Sequence, residues 1–196
     1  NDNNSKNYNT LFNHQKEIKV LEETLGIQIK YNFINEKLSI GKKRNILSEN
    51  STHNYLINMD DDDIYLPTYL NHSIDILINF EKDITGCLDM LFIYPQKKYQ
   101  CSHIKCIPNF KLYHEATLCM KKSHWEKYKY KDSSQGEGEG IYGSPDLCFN
   151  SNIIKCMVCV CWEGNTVNKD IFLEYPINMN IDGNILNILK NIFNDF

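Results

Sequence analysis

The sequence predicts an α/β fold with a mainly parallel central sheet flanked by helices. In the first half of the chain, short apolar runs alternate with segments of helical spacing, a pattern typical of β–α–β units. The chain has 196 residues, of which 42% are hydrophobic and 12% aromatic. A chain of about 100 to 200 residues suits one packed core. We therefore expect a single domain over residues 1–196.

Periodicity places the elements of the first half. Ile18, Leu21 and Leu25 recur at helical spacing and Gly26 follows them, as is typical of a helix end. Pro67 suits the first turn of a later helix. Helices are predicted over residues 14–25, 41–50 and 67–81, and strands over residues 27–33 and 55–59.

The second half is richer in apolar runs and less regular. A glycine-rich acidic loop is expected over residues 133–144. Strands are predicted over residues 84–94, 99–107, 116–120 and 153–162, the first two joined by a turn at 95–98, and helices over residues 123–127, 145–150 and 184–196.

Composition argues against several classes of protein. The 21 Lys and Arg residues nearly balance the 25 Asp and Glu residues, at a net charge of −4, so no broad basic surface for nucleic acid is expected. The sequence contains no run of about 18 apolar residues, the length that predicts a membrane-spanning helix. The eight cysteines lack zinc-site spacing and are interpreted as small buried hydrophobes, which favours a reducing, cytoplasmic location.

The run Asp60-Asp61-Asp62-Asp63 is the main candidate for chemistry. Adjacent carboxylates repel one another unless a cation compensates them. The run follows the predicted strand over 55–59, and ligand sites in open α/β sheets lie beyond the carboxyl ends of strands. Mg²⁺ and Mn²⁺ take oxygen ligands and can share them with phosphates. The alternative is a solvated acidic turn that begins the next helix.

Three segments carry a family resemblance. They are Ser-Ile-Gly-Lys-Lys-Arg-Asn-Ile-Leu at 39–47, Tyr-Leu-Ile-Asn-Met-Asp-Asp-Asp-Asp-Ile-Tyr-Leu-Pro at 55–67 and Ser-Ser-Gln-Gly-Glu-Gly-Glu at 133–139. In this order they resemble the diphosphate-binding segment, the Asp-x-Asp region and the catalytic loop of family 2 glycosyltransferases with the GT-A fold. The similarity extends in particular to the small glycosyltransferases of large DNA viruses, which implies an association with virions.

The resemblance implies an inverting transfer of a sugar from a UDP- or GDP-sugar to a hydroxyl group of a glycan or protein acceptor, with Mn²⁺ or Mg²⁺ as cofactor. One glutamate of the loop would be the general base, which must reach the acceptor oxygen. The implied roles are metal binding for Asp62, Asp60 and Asp63, donor binding for Lys42, Arg44, Asn45, Asp60 and Asp61, and proton abstraction for Glu137 or Glu139.

Three further residues are candidates for acceptor binding. His114 and Glu115 precede a predicted strand near where the relatives bind the acceptor, although a lone histidine is more often structural. Trp162 follows the strand over 153–162 and either stacks on a sugar or fills the core. No buried strand is evident in residues 1–13, so the prediction is a GT-A-like fold without its first strand. Either the chain is truncated at the N-terminus or it does not hold the nucleotide base in the usual way.

Alternatives remain open at this point. The acids at 133–144 also suit a flexible surface loop, and Lys42, Lys43 and Arg44 suit the polar face of an ordinary helix. The absent first strand and the lack of a histidine near the C-terminal end of the core favour a degenerate module that binds metal and nucleotide sugar without turnover. A metal-dependent phosphoesterase with the same acid cluster is a third possibility. The oligomeric state is not predicted.

Overall fold

The computed structural model describes residues 15–105, 113–142, 148–162, 165, 169–175, 187 and 191. The chain divides into two compact units, Asn1–Lys37 and Leu38–Phe196. The prediction of one domain over residues 1–196 stays a prediction. The predicted C-terminal helix lies outside the described residues, except that Asn187 and Asn191 are helical.

The described part of the first unit contains one helix, α1, at Gln15–Leu25. Gly26 follows it with a φ of 64°, the left-handed conformation that glycine tolerates best at a helix end. The strand predicted over residues 27–33 is wrong, because the structure has no strand there. The alternation provides an apolar face, but a strand also needs a partner for its backbone, which alternation alone does not provide.

The second unit is mixed α/β. Among its described residues, the complete α-helices are α2 at Ile40–Asn50, α3 at Tyr69–Asn79 and α4 at Lys122–Lys127, and the strands are β1 at Tyr55–Ile57, β2 at Ile64–Tyr65, β3 at Ile84–Gly86, β4 at Met90–Tyr94, β5 at Gln100–Ile104, β6 at Cys119–Lys121, β7 at Cys148–Asn150 and β8 at Met157–Val160. The general α/β prediction is therefore confirmed.

The strands form two four-stranded sheets, in the orders β1-β6-β3-β7 and β2-β8-β4-β5. Four of the six pairings are antiparallel, and only β3–β7 and β4–β8 are parallel. The prediction of a mainly parallel sheet is thus wrong for the described residues. Part of the reason is the β4–β5 hairpin, whose short turn forces an antiparallel pair. Alternation of helices and strands along the sequence does not distinguish a mixed sheet from a parallel one.

Several predicted elements differ in detail. The predicted strand over 84–94 divides at Gly86 into β3 and β4, which belong to different sheets. A Cβ at Gly86, the last residue of β3, would lie 2.8 Å from Leu118 Cδ2, so a larger residue there would require the Leu118 side chain to shift. Residues 148–150 form β7 instead of the predicted helix, and the rest of that segment lies outside the described residues. The predicted strand over 153–162 begins with a 3-10 turn at Ile153–Lys155 before β8.

Two apolar clusters stabilise the second unit. One joins β4, β8 and α3 through residues such as Ile93, Met157 and Tyr69, and the other lies around Ile84 and Trp125. Each fully buried large apolar side chain contributes about 1.5 to 3 kcal/mol relative to exposure. No described cysteine forms a disulfide, and most are buried in this core, as expected of small hydrophobic residues. Among the described helices, none combines the length and apolarity that a bilayer crossing requires.

Candidate functional site

The aspartate run forms the turn between β1 and β2, and tyrosine hydroxyls hold it at the core. The backbone N–H of Asp60 donates to the hydroxyl of Tyr65 at 2.7 Å, and that hydroxyl donates to the carbonyl of Ala116 at 3.1 Å. The Tyr69 hydroxyl donates to the carbonyl of Asn58 at 2.9 Å. Burial raises the pKa of Tyr65 well above its ordinary value. The start of the run is therefore fixed by neutral phenols that stay protonated.

Arg44 connects the aspartate run to the glycine-rich loop. Its Nη2 lies 2.9 Å from Asp60 Oδ1, and its Nε lies 3.3 Å from Glu137 Oε1. The side chains of Arg44 and Glu137 are 10% and 7% exposed. Burial lowers the pKa of Arg44, but the charges of Asp60, Tyr130 and Glu137 outweigh it and raise the pKa above its ordinary value. The structure thus brings together one residue from each of the three segments singled out in the sequence.

The start of α2 packs directly against the glycine-rich loop. The Ser39 hydroxyl caps the helix by accepting from the N–H of Lys42 at 3.1 Å, an arrangement that satisfies a free helical N–H. The N–H of Gly41 donates to the carbonyl of Ser133 at 3.0 Å. A Cβ at Gly41 would lie 1.9 Å from the carbonyl oxygen of Lys131. Only glycine allows this approach, which places the following Arg44 beside the loop.

The two glutamates of the loop have different surroundings. Glu137 is buried against Arg44, and its carbonyl accepts from the N–H of Lys131 at 2.9 Å. Glu139 pairs with the ammonium group of Lys131 at 3.0 Å, and both side chains are more than half exposed. Of the two predicted bases, Glu137 lies beside Arg44, whereas Glu139 lies at the surface.

Asn45 has an anchoring role in the structure. Its Nδ2 donates to the carbonyl of Tyr130 at 2.8 Å, and its Oδ1 accepts from the indole N–H of Trp125 and the N–H of Tyr130, each at 3.0 Å. These bonds hold residues 125–130 against α2. The predicted contact of Asn45 with the donor stays a prediction, as does that of the exposed Lys42.

The other aspartates of the run differ in access. Asp61 and Asp62 are exposed, and Asp62 Oδ2 accepts from Asn165 Nδ2 at 3.2 Å. Asp63 is half-buried, and its Oδ1 accepts from the N–H of Val160 at 3.0 Å. Burial raises the pKa of Asp63 to about 6, against the opposing effects of Lys169 and the Val160 N–H. Asp62 is therefore the most accessible of the three predicted metal ligands.

The carboxylates do not form a complete metal cage by themselves. Within the described ranges, no three His, Cys, Asp or Glu side chains are grouped as a metal site. Mg²⁺ commonly uses only one or two carboxylates and completes its shell with phosphates and water. The exposed Asp62 fits that kind of attachment, since Asp60 is paired with Arg44 and Asp63 with Val160. The predicted Mn²⁺ or Mg²⁺ stays a prediction.

Glu115 and His114 lie on different sides of one backbone turn. Glu115 Oε1 accepts from the Tyr142 hydroxyl at 3.3 Å, and a Cβ at Gly138 would lie 2.9 Å from its Cγ. Burial raises the pKa of Glu115. His114 instead has Nε2 at 3.7 Å from the sulfur of Cys159, and burial lowers its pKa to about 4, so it is neutral at physiological pH. Glu115 thus faces Gly138 in the glycine-rich loop, whereas His114 faces Cys159 in β8.

Trp162 is 50% exposed, so its interpretation as a core residue is wrong. The chain turns out of the core directly after Cys161, which is buried. Its carbohydrate-stacking role remains a prediction.

Residues outside the sequence-based candidates complete the site. Asn58 Nδ2 donates to the carbonyl of Glu115 at 2.7 Å and to the Tyr130 hydroxyl at 2.9 Å. Asn165 reaches Asp62, and Lys169 lies close enough to Asp63 to lower its pKa. A polar Asn58 at the end of an apolar strand was a usable signal. Asn165 and Lys169 are distant in sequence from the run and carry no local pattern that identifies them.

Comparison with known proteins does not assign the chain to a family. Neither a protein-family model nor a curated protein matches the chain.

Proposed function

We propose that the chain is an inverting, metal-dependent glycosyltransferase with a GT-A-like fold, which transfers a sugar from a UDP- or GDP-sugar to an acceptor hydroxyl of a glycan or protein. The observation that carries the proposal is the double ion pair of Arg44 with Asp60 and Glu137. If Asp60 and Glu137 were unrelated surface acids, they would not be expected to share one buried arginine. A carboxylate turn after a strand, joined by a buried arginine to a glutamate of a glycine-rich loop, suits a site for a charged ligand.

The roles of the residues follow from their access. The exposed Asp62 is the first ligand for the cation, which neutralises the diphosphate leaving group. Lys42, exposed on the first turn of α2 like its neighbour Lys43, is the proposed contact for the diphosphate, because Arg44 is already held by two carboxylates. In this proposal the diphosphate of the donor binds on the exposed side of the aspartate turn between β1 and β2.

Glu137 is the proposed base. It accepts the proton of the acceptor hydroxyl while that oxygen bonds to the anomeric carbon and the bond to the diphosphate breaks. Attack from the face opposite the leaving group inverts the configuration. Arg44 is a positioning residue, since it holds the Glu137 carboxylate at 3.3 Å and the aspartate turn at 2.9 Å. A base must lie within hydrogen-bond reach of its substrate proton, so this fixed placement matters.

The proposal is tested by nucleotide binding with and without metal. We expect calorimetry to show that UDP or GDP binds more tightly when Mn²⁺ is added, and that Asp62→Ala removes this gain. The expected loss is roughly tenfold in affinity, the effect of one lost charge-assisted contact. Asp75→Ala, which removes an exposed aspartate of α3, is the matched control. Equal nucleotide affinity with Mn²⁺ and with a chelator would rule out the metal role.

A binding module without turnover is the second candidate, and one observation favours it. The Glu137 carboxylate is buried and already paired with Arg44, which competes with its use as a proton acceptor. The two candidates differ in turnover. Release of sugar from a nucleotide sugar, or transfer to any member of a glycan array, excludes the inactive module. Metal-dependent nucleotide binding without either reaction supports it.

A further inference from the structure

Trp162 is placed where β8 leaves the core. Cys159 and Cys161 before it are 1% and 4% exposed, whereas Trp162 is 50% exposed. Trp125 is the only other tryptophan in the chain and is 4% exposed. An indole carries a large apolar surface that favours burial. The position of Trp162 therefore presents an aromatic surface to solvent at the edge of the proposed active site.

Hydrogen bonds to Asn165 hold the backbone of Trp162. The N–H of Trp162 donates to Asn165 Oδ1 at 2.9 Å, and the backbone N–H of Asn165 donates to the carbonyl of Trp162 at 3.2 Å. The same side chain donates from Nδ2 to Asp62 Oδ2 at 3.2 Å. One asparagine thus connects the exposed tryptophan to the most accessible aspartate of the run.

We infer that Trp162, Asn165 and Asp62 form a subsite for a pyranose ring. The inference deepens the proposed function. It rests on that function for the placement of the sugar, which follows from binding of the diphosphate near Asp62. A pyranose has an apolar face of C–H groups and a rim of hydroxyls. The indole packs against the apolar face, and the carboxylate and amide bond the hydroxyls. The three side chains thus offer both an apolar contact and hydrogen-bonding groups to one ring.

The location favours a sugar over a nucleobase. A base also stacks on an aromatic side chain, but in a nucleotide sugar the ribose separates the base from the diphosphate. The donor sugar is bonded directly to the diphosphate. Asp62 is the proposed ligand of the cation at the diphosphate, and Trp162 is connected to Asp62 through Asn165. Trp162 is therefore expected to lie nearer to the donor sugar than to the nucleobase. The sugar of an acceptor has the same chemistry, so the test separates the two sources.

Intrinsic fluorescence reports on the subsite, because the exposed Trp162 is sensitive to a ligand and the buried Trp125 is shielded. The full chain is titrated, with Mn²⁺ present, with UDP, GDP, UDP-glucose, UDP-N-acetylglucosamine and GDP-mannose, and separately with cello- and chito-oligosaccharides. A larger emission change with a nucleotide sugar than with its nucleotide identifies the donor sugar. A change with an oligosaccharide alone identifies the acceptor. Trp162→Phe should remove the change in either case.

Affinity measurements provide a second readout. We expect Trp162→Ala to weaken binding of the responding sugar ligand roughly tenfold and Trp162→Phe to retain most of the affinity, because an aromatic face remains. Phe80→Ala, which removes an exposed aromatic side chain at the end of α3, should leave it unchanged. An equal emission change with UDP or GDP alone, or none with any ligand, would overturn the subsite.

The failure of this inference is distinguishable from that of the proposed function. If Mn²⁺-dependent binding of UDP or GDP persists while Trp162→Ala changes no affinity, the subsite is wrong and the nucleotide site stands. If no nucleotide binds but an oligosaccharide changes the emission of Trp162, the subsite stands as a carbohydrate site and the transferase proposal fails.

Discussion

The aspartate run contacts two regions that are built in opposite ways. At Asp60 it meets Arg44, whose side chain is 10% exposed and whose guanidinium is paired with two carboxylates. At Asp62 it meets Asn165, whose amide donates to the carboxylate at 3.2 Å and accepts from the backbone N–H of the half-exposed Trp162. The first region is buried and paired, and the second is open.

Under the proposed function, the difference suits the two ends of the site to separate tasks. Burial of a charge costs several kcal/mol of desolvation, which close pairing offsets, so the two ion pairs favour the observed placement of Arg44. That suits a region that positions a base and a turn. Exposed side chains retain water that a ligand can displace, which suits a region that receives the ligand. Substitutions at each end test this division.

Arg44→Ala tests whether the buried region is held by its ion pairs. The substitution leaves Glu137 buried without a cation, and removal of one partner of a buried pair typically costs about 3 kcal/mol of unfolding free energy. We expect a loss of that order in urea denaturation. Lys43→Ala, at the exposed neighbouring position of α2, is the matched control and should change stability little.

A double substitution sharpens this test. Arg44→Ala combined with Glu137→Gln removes both the cation and the unpaired charge, so it should be more stable than Arg44→Ala alone. A loss in Arg44→Ala no larger than that in Lys43→Ala would contradict the description of the region as a buried ion-pair network.

The second prediction compares the two glutamates of the loop. Glu137→Gln should reduce turnover of a nucleotide sugar by about 100-fold or more, because loss of a general base typically costs that much. Glu139→Gln should change turnover little, because Glu139 is exposed and paired with Lys131. Steady-state rates over a range of pH provide the measurement, with circular dichroism to check folding. The reverse order of effects would assign the base to Glu139 and break the comparison of the two regions.

The elements near the aspartate run were predictable because their signals are local. Pro67 acts within a few residues and α3 begins close to it at Tyr69, and the helix predicted over 41–50 agrees with α2 to within one residue. The strand expected over 27–33 was wrong because pairing depends on a partner elsewhere in the chain. The mixed pairing of the two sheets was missed for the same reason, since it depends on which strands lie adjacent.

The site was predictable only where its residues occur in contiguous motifs. Arg44, Asp60 and Glu137 stood in recognisable segments, but their mutual contact depends on the fold. Asn45 fits its segment equally well, yet the structure uses its amide to anchor Tyr130. Asn165, which connects Trp162 to Asp62, lies outside every motif. Residue type predicts the chemistry available at a site, whereas the partner of each side chain requires three-dimensional contacts.

The smallest predicted effect concerns the far end of the run, where Asp63 combines features of both regions. Burial raises the pKa of Asp63 to about 6 from a model-compound value of 3.8. Its unfolded form therefore loses its proton before its folded form does. The folded state has the greater advantage below the unfolded pKa, and this advantage is lost as pH rises through the folded pKa. Asp63→Asn removes the titration and keeps an oxygen that can accept from the N–H of Val160.

Asp63→Asn should consequently gain stability relative to the unsubstituted chain as pH rises. From linkage, the difference between the two proteins should change by about 1 kcal/mol between about pH 5 and about pH 7.5. Urea denaturation at both pH values, with a chelator present, measures it, and the subtraction cancels other titrating groups. A difference that does not change with pH would mean that Asp63 is as well solvated as the open end of the run. If the pH dependence is present with the chelator and added Mn²⁺ abolishes it, Asp63 belongs with Asp62 in the open region that receives the ligand, because a bound cation favours the ionised carboxylate.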